Sequence, residues 1–194
     1  MEGSAELIDK QITLAINSLS SPVTDFIWQV FSFRPLSIAL CVCIVALMFV
    51  RLGWKRALVV VIACILCITA CDQLGNIVKH ATERLRPMHD PWMLERGLNV
   101  LENPGGLYSF YSAHAANTLG FAVCSFMGFR IDKSRSYSAY GIIVFLFSFL
   151  VGMSRIFVGK HFLGDVLAGF AVGAMTGLAF GWFARLVIRK LKLS

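Results

Sequence analysis

The stretch "DVLAGFAVGAMTGLAFGWFA", Asp165 to Ala184, decides the fold. After its first residue it carries no charge. It is long enough for one helical crossing of a bilayer with roughly 30 Å of hydrocarbon, which takes about 20 residues. Gly169, Gly173, Gly177 and Gly181 recur four apart, so they share one helix face. Small residues at that spacing let helices approach closely in a membrane, and the stripe predicts packing inside a bundle. Asp165 extends the same row, which drifts by roughly 40° per step at 3.6 residues per turn. Its carboxylate is therefore expected to point inward.

Four more apolar runs precede this one, at 35–50, 57–78, 112–129 and 136–153. Hydrophobic residues make up 57% of the 194-residue chain and charged residues 15%, and the mean hydropathy is +0.72. A soluble domain is usually about 45–50% apolar and about a quarter charged. The expected fold is all-α: one membrane-embedded domain over 1–194, an integral membrane bundle of five transmembrane helices, with residues 22–33 able to complete a sixth. Six cysteines (41, 43, 64, 67, 71 and 124) all sit in apolar runs. Although Cys64-x-x-Cys67 has a redox or zinc spacing, cysteine in hydrocarbon behaves as a small hydrophobe. Neither a disulfide nor a metal is expected there.

The net charge is +7. Its distribution argues against nucleic acid binding. The basic residues cluster at Arg51, Lys55 and Arg56, at Arg130, Lys133 and Arg135, and at Arg185, Arg189, Lys190 and Lys192. These clusters fall at alternate ends of successive spans, the positive-inside pattern. They place those loops and the C-terminus in the cytoplasm, with 79–112 and 154–164 on the outer (periplasmic or extracellular) face of a plasma, or inner, membrane. The start "MEGSAELIDK" lacks the basic and apolar blocks of a signal peptide, so insertion is expected to use the first spanning helix. Residues 1–33 read as interfacial: Ile8, Ile12, Ala15, Ile16 and Leu19 follow a helical period, which suits a helix lying in the membrane surface, and Pro22 suits the first position of a new helix. Residues 88–111 form the one long polar insertion, a length that is commonly functional. Trp92 and the Pro104-Gly105-Gly106 turn suit a lid or head-group selector, while Trp92 equally suits an interface anchor.

Three polar clusters fall on the outer face. In Cys71–Pro87, Asp72, Asn76, Lys79, Glu83 and Arg86 recur at spacings of three and four, one polar face if the second span continues as a helix. Asp72 suits a structural hydrogen bond or an ion pair with Lys79. His80, Arg84, His89 and Asp90 lie close by. In Ser109–Thr118, Ser112 suits a helix cap, and a helix start with its free N–H groups favours phosphate; His114 sits in that first turn. In Ser154–Asp165, His161 and Asp165 are four apart, so a helix brings carboxylate to imidazole, fixing one ring nitrogen and freeing the other. Arg155 offers a planar fork for phosphate oxygens; Lys160 stays unassigned. Three cations suit a phosphate, while one histidine can attack phosphorus and a second protonate the leaving oxygen. A zinc site from His114, His161 and Asp165 is conceivable, but the cations beside it would repel the metal.

Together these residues resemble the type 2 phosphatidic acid phosphatase superfamily of membrane lipid phosphatases. Lys79 and Arg86-Pro87 meet its K-x6-RP motif, and Ser154-Arg155, His161 and Asp165 meet SR-x5-H-x3-D. Its PSGH motif reads "YSAH" here: Ser112 and His114 match, Tyr111 and Ala113 depart. The matches run over 79–165. The resemblance implies that His161 attacks phosphorus to form a phosphohistidine, that Asp165 orients it, and that His114 protonates the leaving oxygen. Lys79, Arg86 and Arg155 would hold the phosphoryl oxygens, assisted by Ser112 and the Ala113 N–H. The implied reaction is metal-independent, needs no cofactor, and removes a phosphate or diphosphate group from a phosphorylated membrane lipid, with undecaprenyl diphosphate favoured. The alternatives are lipid A, phosphatidylglycerophosphate or phosphatidate, or transfer of the same phosphoryl group to an acceptor lipid.

Overall fold

The computed structural model describes residues 3–103 and 105–193; Pro104 of the anticipated turn lies outside the described residues. Among the described residues the chain is helical with no strand, apart from one antiparallel bridge between Leu85 and Tyr108. Its α-helices are α1 (Ser4–Asn17), α2 (Pro22–Ser32), α3 (Arg34–Leu52), α4 (Trp54–Thr82), α5 (Pro91–Glu95), α6 (Ala113–Phe129), α7 (Ser138–Phe157) and α8 (Leu163–Lys190).

The five apolar runs become α3, α4, α6, α7 and α8. Four of these are long and apolar enough to cross a membrane: α3, α4, α7 and α8. α6 has 17 residues, the short end of the spanning range, and it is the central helix, packed against α4, α7 and α8. The faces of the bundle that turn outward are apolar, with Ile38 and Val42 on α3, Ile142 and Leu146 on α7, and Leu178 and Phe183 on α8 all exposed. A single residue, Gly53, joins α3 to α4; its φ of 75° lies in the left-handed region that glycine enters at no steric cost.

The glycine stripe of α8 faces α6 within the bundle. A Cβ at Gly173 would stand 2.3 Å from the Ala116 carbonyl oxygen, and one at Gly169 would stand 2.5 Å from that of Ser112. Backbone thus meets backbone along this seam, which brings the start of α6 beside the start of α8. The six cysteines are free thiols; Cys67 and Cys71 pack against Thr176 of α8.

Several boundaries differ from the sequence reading. α4 ends at Thr82 and Glu83 adopts a left-handed cap (φ 47°). Glu83 and Arg86 therefore do not continue a helical face; Arg86 lies in the extended segment that follows, because Pro87 cannot follow a helical residue without strain. Ser154 and Arg155 belong to the last turn of α7, so the turn between the last two spans is only 158–162. α2 has 11 residues, about 16 Å at 1.5 Å per residue, too short to complete a sixth span. It packs on α7, with Trp28 stacked on Phe157 at 4.4 Å.

α1 forms where its period predicts, but its polar face is the one that packs. Lys10, Thr13 and Asn17 are buried, while Ile8 and Ile12 are exposed. The reason is hydrogen bonding: buried polar groups need partners, and α1 supplies them. Lys10 Nζ pairs with Asp90 at 2.7 Å. Asn17 Nδ2 donates to the carbonyls of Asn99, Ile156 and Phe157, and the Asn99 N–H returns to Asn17 Oδ1.

Candidate active site

The last turn of α7, the 158–162 turn and the starts of α6 and α8 meet at one end of the bundle. The described residues of 83–103 and 105–112 fold over them. There they enclose a cavity of about 620 Å³. Lys79, Arg86, Ala113, His114, Arg155 and His161 line it. Ser112 and Asp165 stand behind its wall, both fully buried. The three separated clusters are thereby brought into one place.

His161 follows α7 and precedes α8. Its Nδ1 lies 3.4 Å from Asp165 Oδ2, the contact that the four-residue spacing predicts. The same Oδ2 accepts the Phe162 N–H at 2.9 Å, and Asp165 Oδ1 accepts from Arg84 Nη1 at 2.8 Å. The carboxylate is thus fixed by three partners. Burial pushes the His161 imidazole down to about 4 against the pull of Asp165, with Arg155 and Arg86 adding to the fall. A neutral imidazole with Nδ1 held by a carboxylate leaves Nε2 free as nucleophile or base.

Arg155 is 3% exposed. Its Nη1 donates to Ser32 Oγ and stands 3.9 Å from Glu102, and its buried Nε has no partner among the described residues. Arg86 is held by its Nε donating to the Tyr108 carbonyl at 3.1 Å. A Cβ at residue 105 would come within 2.6 Å of Arg86 Nη1, so Gly105 leaves room for the guanidinium. Lys79 reaches the cavity from the last turn of α4. Three cations on three elements converge, the arrangement a phosphoryl group requires.

Ser112 occupies the cap position of α6 but its hydroxyl caps nothing, and Oγ is buried without a partner among the described residues. Its N–H donates to the Asp165 carbonyl at 3.0 Å, tying α6 to α8. The Ala113 N–H is one of the first-turn donors that lack an intrahelical acceptor. His114 Nε2 accepts from Arg34 Nε at 3.4 Å.

The structure adds three residues that sequence reasoning passed over, Arg34, Ser32 and Glu102, and gives the unassigned Lys160 a place. All four line the cavity. Glu102 accepts from Lys160. Burial pushes the Glu102 carboxyl up, yet Lys160, Ser32 and Arg155 together hold it below the ordinary carboxylate range. Trp92 is not a cavity residue: it packs with Met93, Leu98 and Phe162, under the Arg96 guanidinium. Asp90 is taken by Lys10 and caps α5. Asp72 accepts from Asn117 at 2.8 Å.

A second cavity of about 590 Å³ runs along α3, α4 and α6. Apolar side chains including Ile38, Val42, Ile68 and Phe121 line it. It shares Arg34, Ala113 and His114 with the charged cavity. A charged chamber adjoining an apolar groove fits a molecule with an anionic head and a hydrocarbon tail.

Residues 54–189 match the PAP2 superfamily. A lipid A 4′-phosphatase from Porphyromonas gingivalis is 28% identical over 171 residues, covering 88% of this chain and 70% of that protein. One from Bacteroides thetaiotaomicron is 29% identical over 187 residues, covering 95% and 80%. The crystal structure of a transmembrane PAP2 type phosphatidylglycerolphosphate phosphatase from Bacillus subtilis superposes with a TM-score of 0.74 at 22% identity, over 96% of this chain and 89% of that one. Aquifex aeolicus LpxE gives 0.65 at 22% identity, over 88% and 92%. These two structures share the fold.

Proposed function

Since this chain belongs to the PAP2 superfamily and is a membrane phosphatase that acts on lipids, we propose that it hydrolyses its substrate through a phosphohistidine at His161, without a metal ion. The observation that carries this reading is the His161–Asp165 pair facing Lys79, Arg86, Arg155 and His114 in one cavity. His161 Nε2 attacks phosphorus while the bond to the leaving oxygen breaks and His114 gives that oxygen a proton. Water then attacks the phosphohistidine, His114 takes its proton, and phosphate leaves. Lys79, Arg86 and Arg155, with the Ala113 N–H, stabilise the charge that builds on the phosphoryl oxygens. Ser112, buried behind them, supports the start of α6. The cations make the cavity hostile to a metal cation.

The favoured substrate is a lipid A-type phosphate monoester, supported by the two relatives matched along most of their length. Undecaprenyl diphosphate is the second reading; the extra cation Arg34, where the charged cavity meets the apolar groove, suits a second phosphate on the leaving group. The site faces outward, with the basic clusters at the opposite, cytoplasmic end.

Phosphate release from purified protein in detergent, given lipid A, undecaprenyl diphosphate, phosphatidylglycerophosphate and phosphatidate with and without EDTA, tests the reading. Release should be insensitive to EDTA and abolished by His161→Ala. Full activity of that variant rejects the nucleophile, strong EDTA inhibition rejects the metal-free mechanism, and phosphate leaving only with an acceptor lipid points to transfer. Labelling of single cysteines at 99 and 133 in intact cells checks the orientation.

A further inference from the structure

Arg84 is a cation of the site region that does not line the cavity. Its Nη1 donates to Asp165 Oδ1 at 2.8 Å and its Nη2 donates to Asp9 Oδ2 at 2.7 Å. Its guanidinium lies over the ring of Phe162, 4.1 Å from the centroid, and Phe162 is itself 1% exposed. One planar fork thus clasps two carboxylates from opposite ends of the sequence while stacked on a fixed ring, geometry that an ammonium could not reproduce.

Both carboxylates also serve the first turn of α8, whose leading N–H groups have no acceptor within the helix. Phe162 N–H goes to Asp165 Oδ2 at 2.9 Å, Leu163 N–H to Thr13 Oγ1 at 2.9 Å, and Gly164 N–H to Asp9 Oδ1 at 2.9 Å. The helix that carries Asp165 is therefore capped by α1, a helix more than a hundred residues away in sequence. Residue 164 leaves space for the contact, since a Cβ there would lie 2.7 Å from Asp9 Oδ2. The same polar face of α1 also anchors it to Asp90, Asn99 and the carbonyls that end α7.

We propose that α1 is a strap that sets the nucleophile, with Asp9 and Arg84 as positioning residues that hold Asp165, and through it His161, at the cavity wall. The proposal rests on the reading of His161 as nucleophile. Neither residue touches phosphate: Lys79, Arg86 and Arg155 remain the phosphate-facing groups when either is changed. Their removal therefore acts on the chemical step more than on binding. The charges give a second signature. His161 faces Asp165 on α8, Arg155 on α7, and Arg86 from the segment after α4, with Lys160 and His114 close by. Arg84 offsets part of the Asp165 charge, and Asp9 offsets part of the Arg84 charge. Losing Arg84 strengthens the pull of Asp165 on an imidazole proton; losing the Asp9 charge weakens it.

The test compares Asp9→Asn, Asp9→Ala, Arg84→Gln, Arg84→Lys and His161→Ala in the full-length chain, using lipid A and a short-chain phosphatidate in mixed micelles. Asp9→Ala and Arg84→Gln should each lower kcat by about 10- to 100-fold, the cost of a small misplacement at a reacting group, with KM changed by less than about 3-fold. Arg84→Lys should recover only part of the loss. The acid limb of kcat/KM should move up in Arg84→Gln and down in Asp9→Asn, opposite shifts that a general loosening of the fold does not produce. Wild-type kcat in both Asp9→Ala and Arg84→Gln, alongside an inactive His161→Ala, overturns the strap and leaves the nucleophile standing. So do losses matched by KM, or acid limbs that move together. An active His161→Ala removes the premise itself. If Asp9→Ala does not fold, Asp9→Asn, which keeps an acceptor for the Gly164 N–H, carries the same comparison.

Discussion

Arg34 Nε donates to His114 Nε2 across 3.4 Å, although the two residues stand 80 apart in sequence. The contact joins the start of α3 to the start of α6 where the charged cavity and the apolar groove share their lining. While it holds, Nε2 of His114 is an acceptor and cannot carry the proton a leaving oxygen needs. A substrate anion that draws Arg34 to itself frees that nitrogen. Arg34→Ala is expected to lower kcat/KM by about 10-fold or more, in line with loss of a charge-assisted hydrogen bond worth about 1.5–3 kcal/mol. The loss should be larger for a lipid diphosphate than for the matching monophosphate. Steady-state kinetics on such a pair checks it, and equal losses on both refute a role at the leaving group.

The pH profile follows from the burial of His161. The proposed attack by His161 needs the neutral imidazole, and burial pushes that imidazole down to about 4 despite Asp165. Activity should therefore be full well below the ordinary histidine value of about 6.5, and be lost only as pH falls toward about 4. Asp165→Asn removes the group that pulls the value up, so any residual activity should lose its acid limb to still lower pH. Its kcat should fall by about 10³–10⁴-fold, as when the carboxylate partner of a catalytic histidine is neutralised. An acid limb of kcat/KM at 6.5 or above in the wild-type chain contradicts a buried nucleophile.

How much of this was legible in sequence depends on the distance over which each group acts. His161 and Asp165 meet because a helix places residues four apart together, and Arg155 because it ends the preceding span. Lys79 and Arg86 were legible as charges beside an apolar run, although the helical face drawn through them was wrong beyond Thr82. Asp9, Ser32, Arg34 and Glu102 reach the same end of the bundle only through tertiary packing, and no local period announces them. A weak signal did exist for Arg34. It opens α3, where the helix dipole disfavours a cation, so its charge there asks for another reason. On α1 the helical period holds, but the partners that turn its polar face inward lie far away in sequence, in the 88–103 loop, at the end of α7 and at the start of α8.

The α6–α8 seam predicts a sharp contrast among glycines. A Cβ at Gly173 meets the backbone of Ala116 at 2.3 Å, whereas a Cβ at Gly3 meets nothing within 4 Å. Backbone cannot move aside as a side chain can. Gly173→Ala should cost at least about 1–3 kcal/mol, read as a Tm lower by several degrees in detergent, and should lower activity by shifting Ser112 and His114 relative to Asp165. Gly3→Ala should leave both unchanged. A Gly173→Ala chain as stable as its parent would mean that the two helices do not pack backbone to backbone.

Glu102 makes the last prediction. Its carboxylate sits in the cavity, bonded to Lys160 and 3.9 Å from Arg155 Nη1. It therefore occupies cations that an incoming tetrahedral or five-coordinate anion would use, and it repels that anion. Vanadate, a mimic of five-coordinate phosphorus, should inhibit the wild-type chain at millimolar concentration. Glu102→Gln keeps the size of the side chain and removes its charge. The variant should bind vanadate more tightly by about 1 kcal/mol, or about 5-fold, the scale of a partly exposed charge pair. Lys160→Ala should weaken inhibition instead, because the cation that Glu102 releases is then missing. Inhibition constants for the three chains decide it: weaker inhibition of Glu102→Gln would make the carboxylate a support for Arg155 rather than a rival of phosphate.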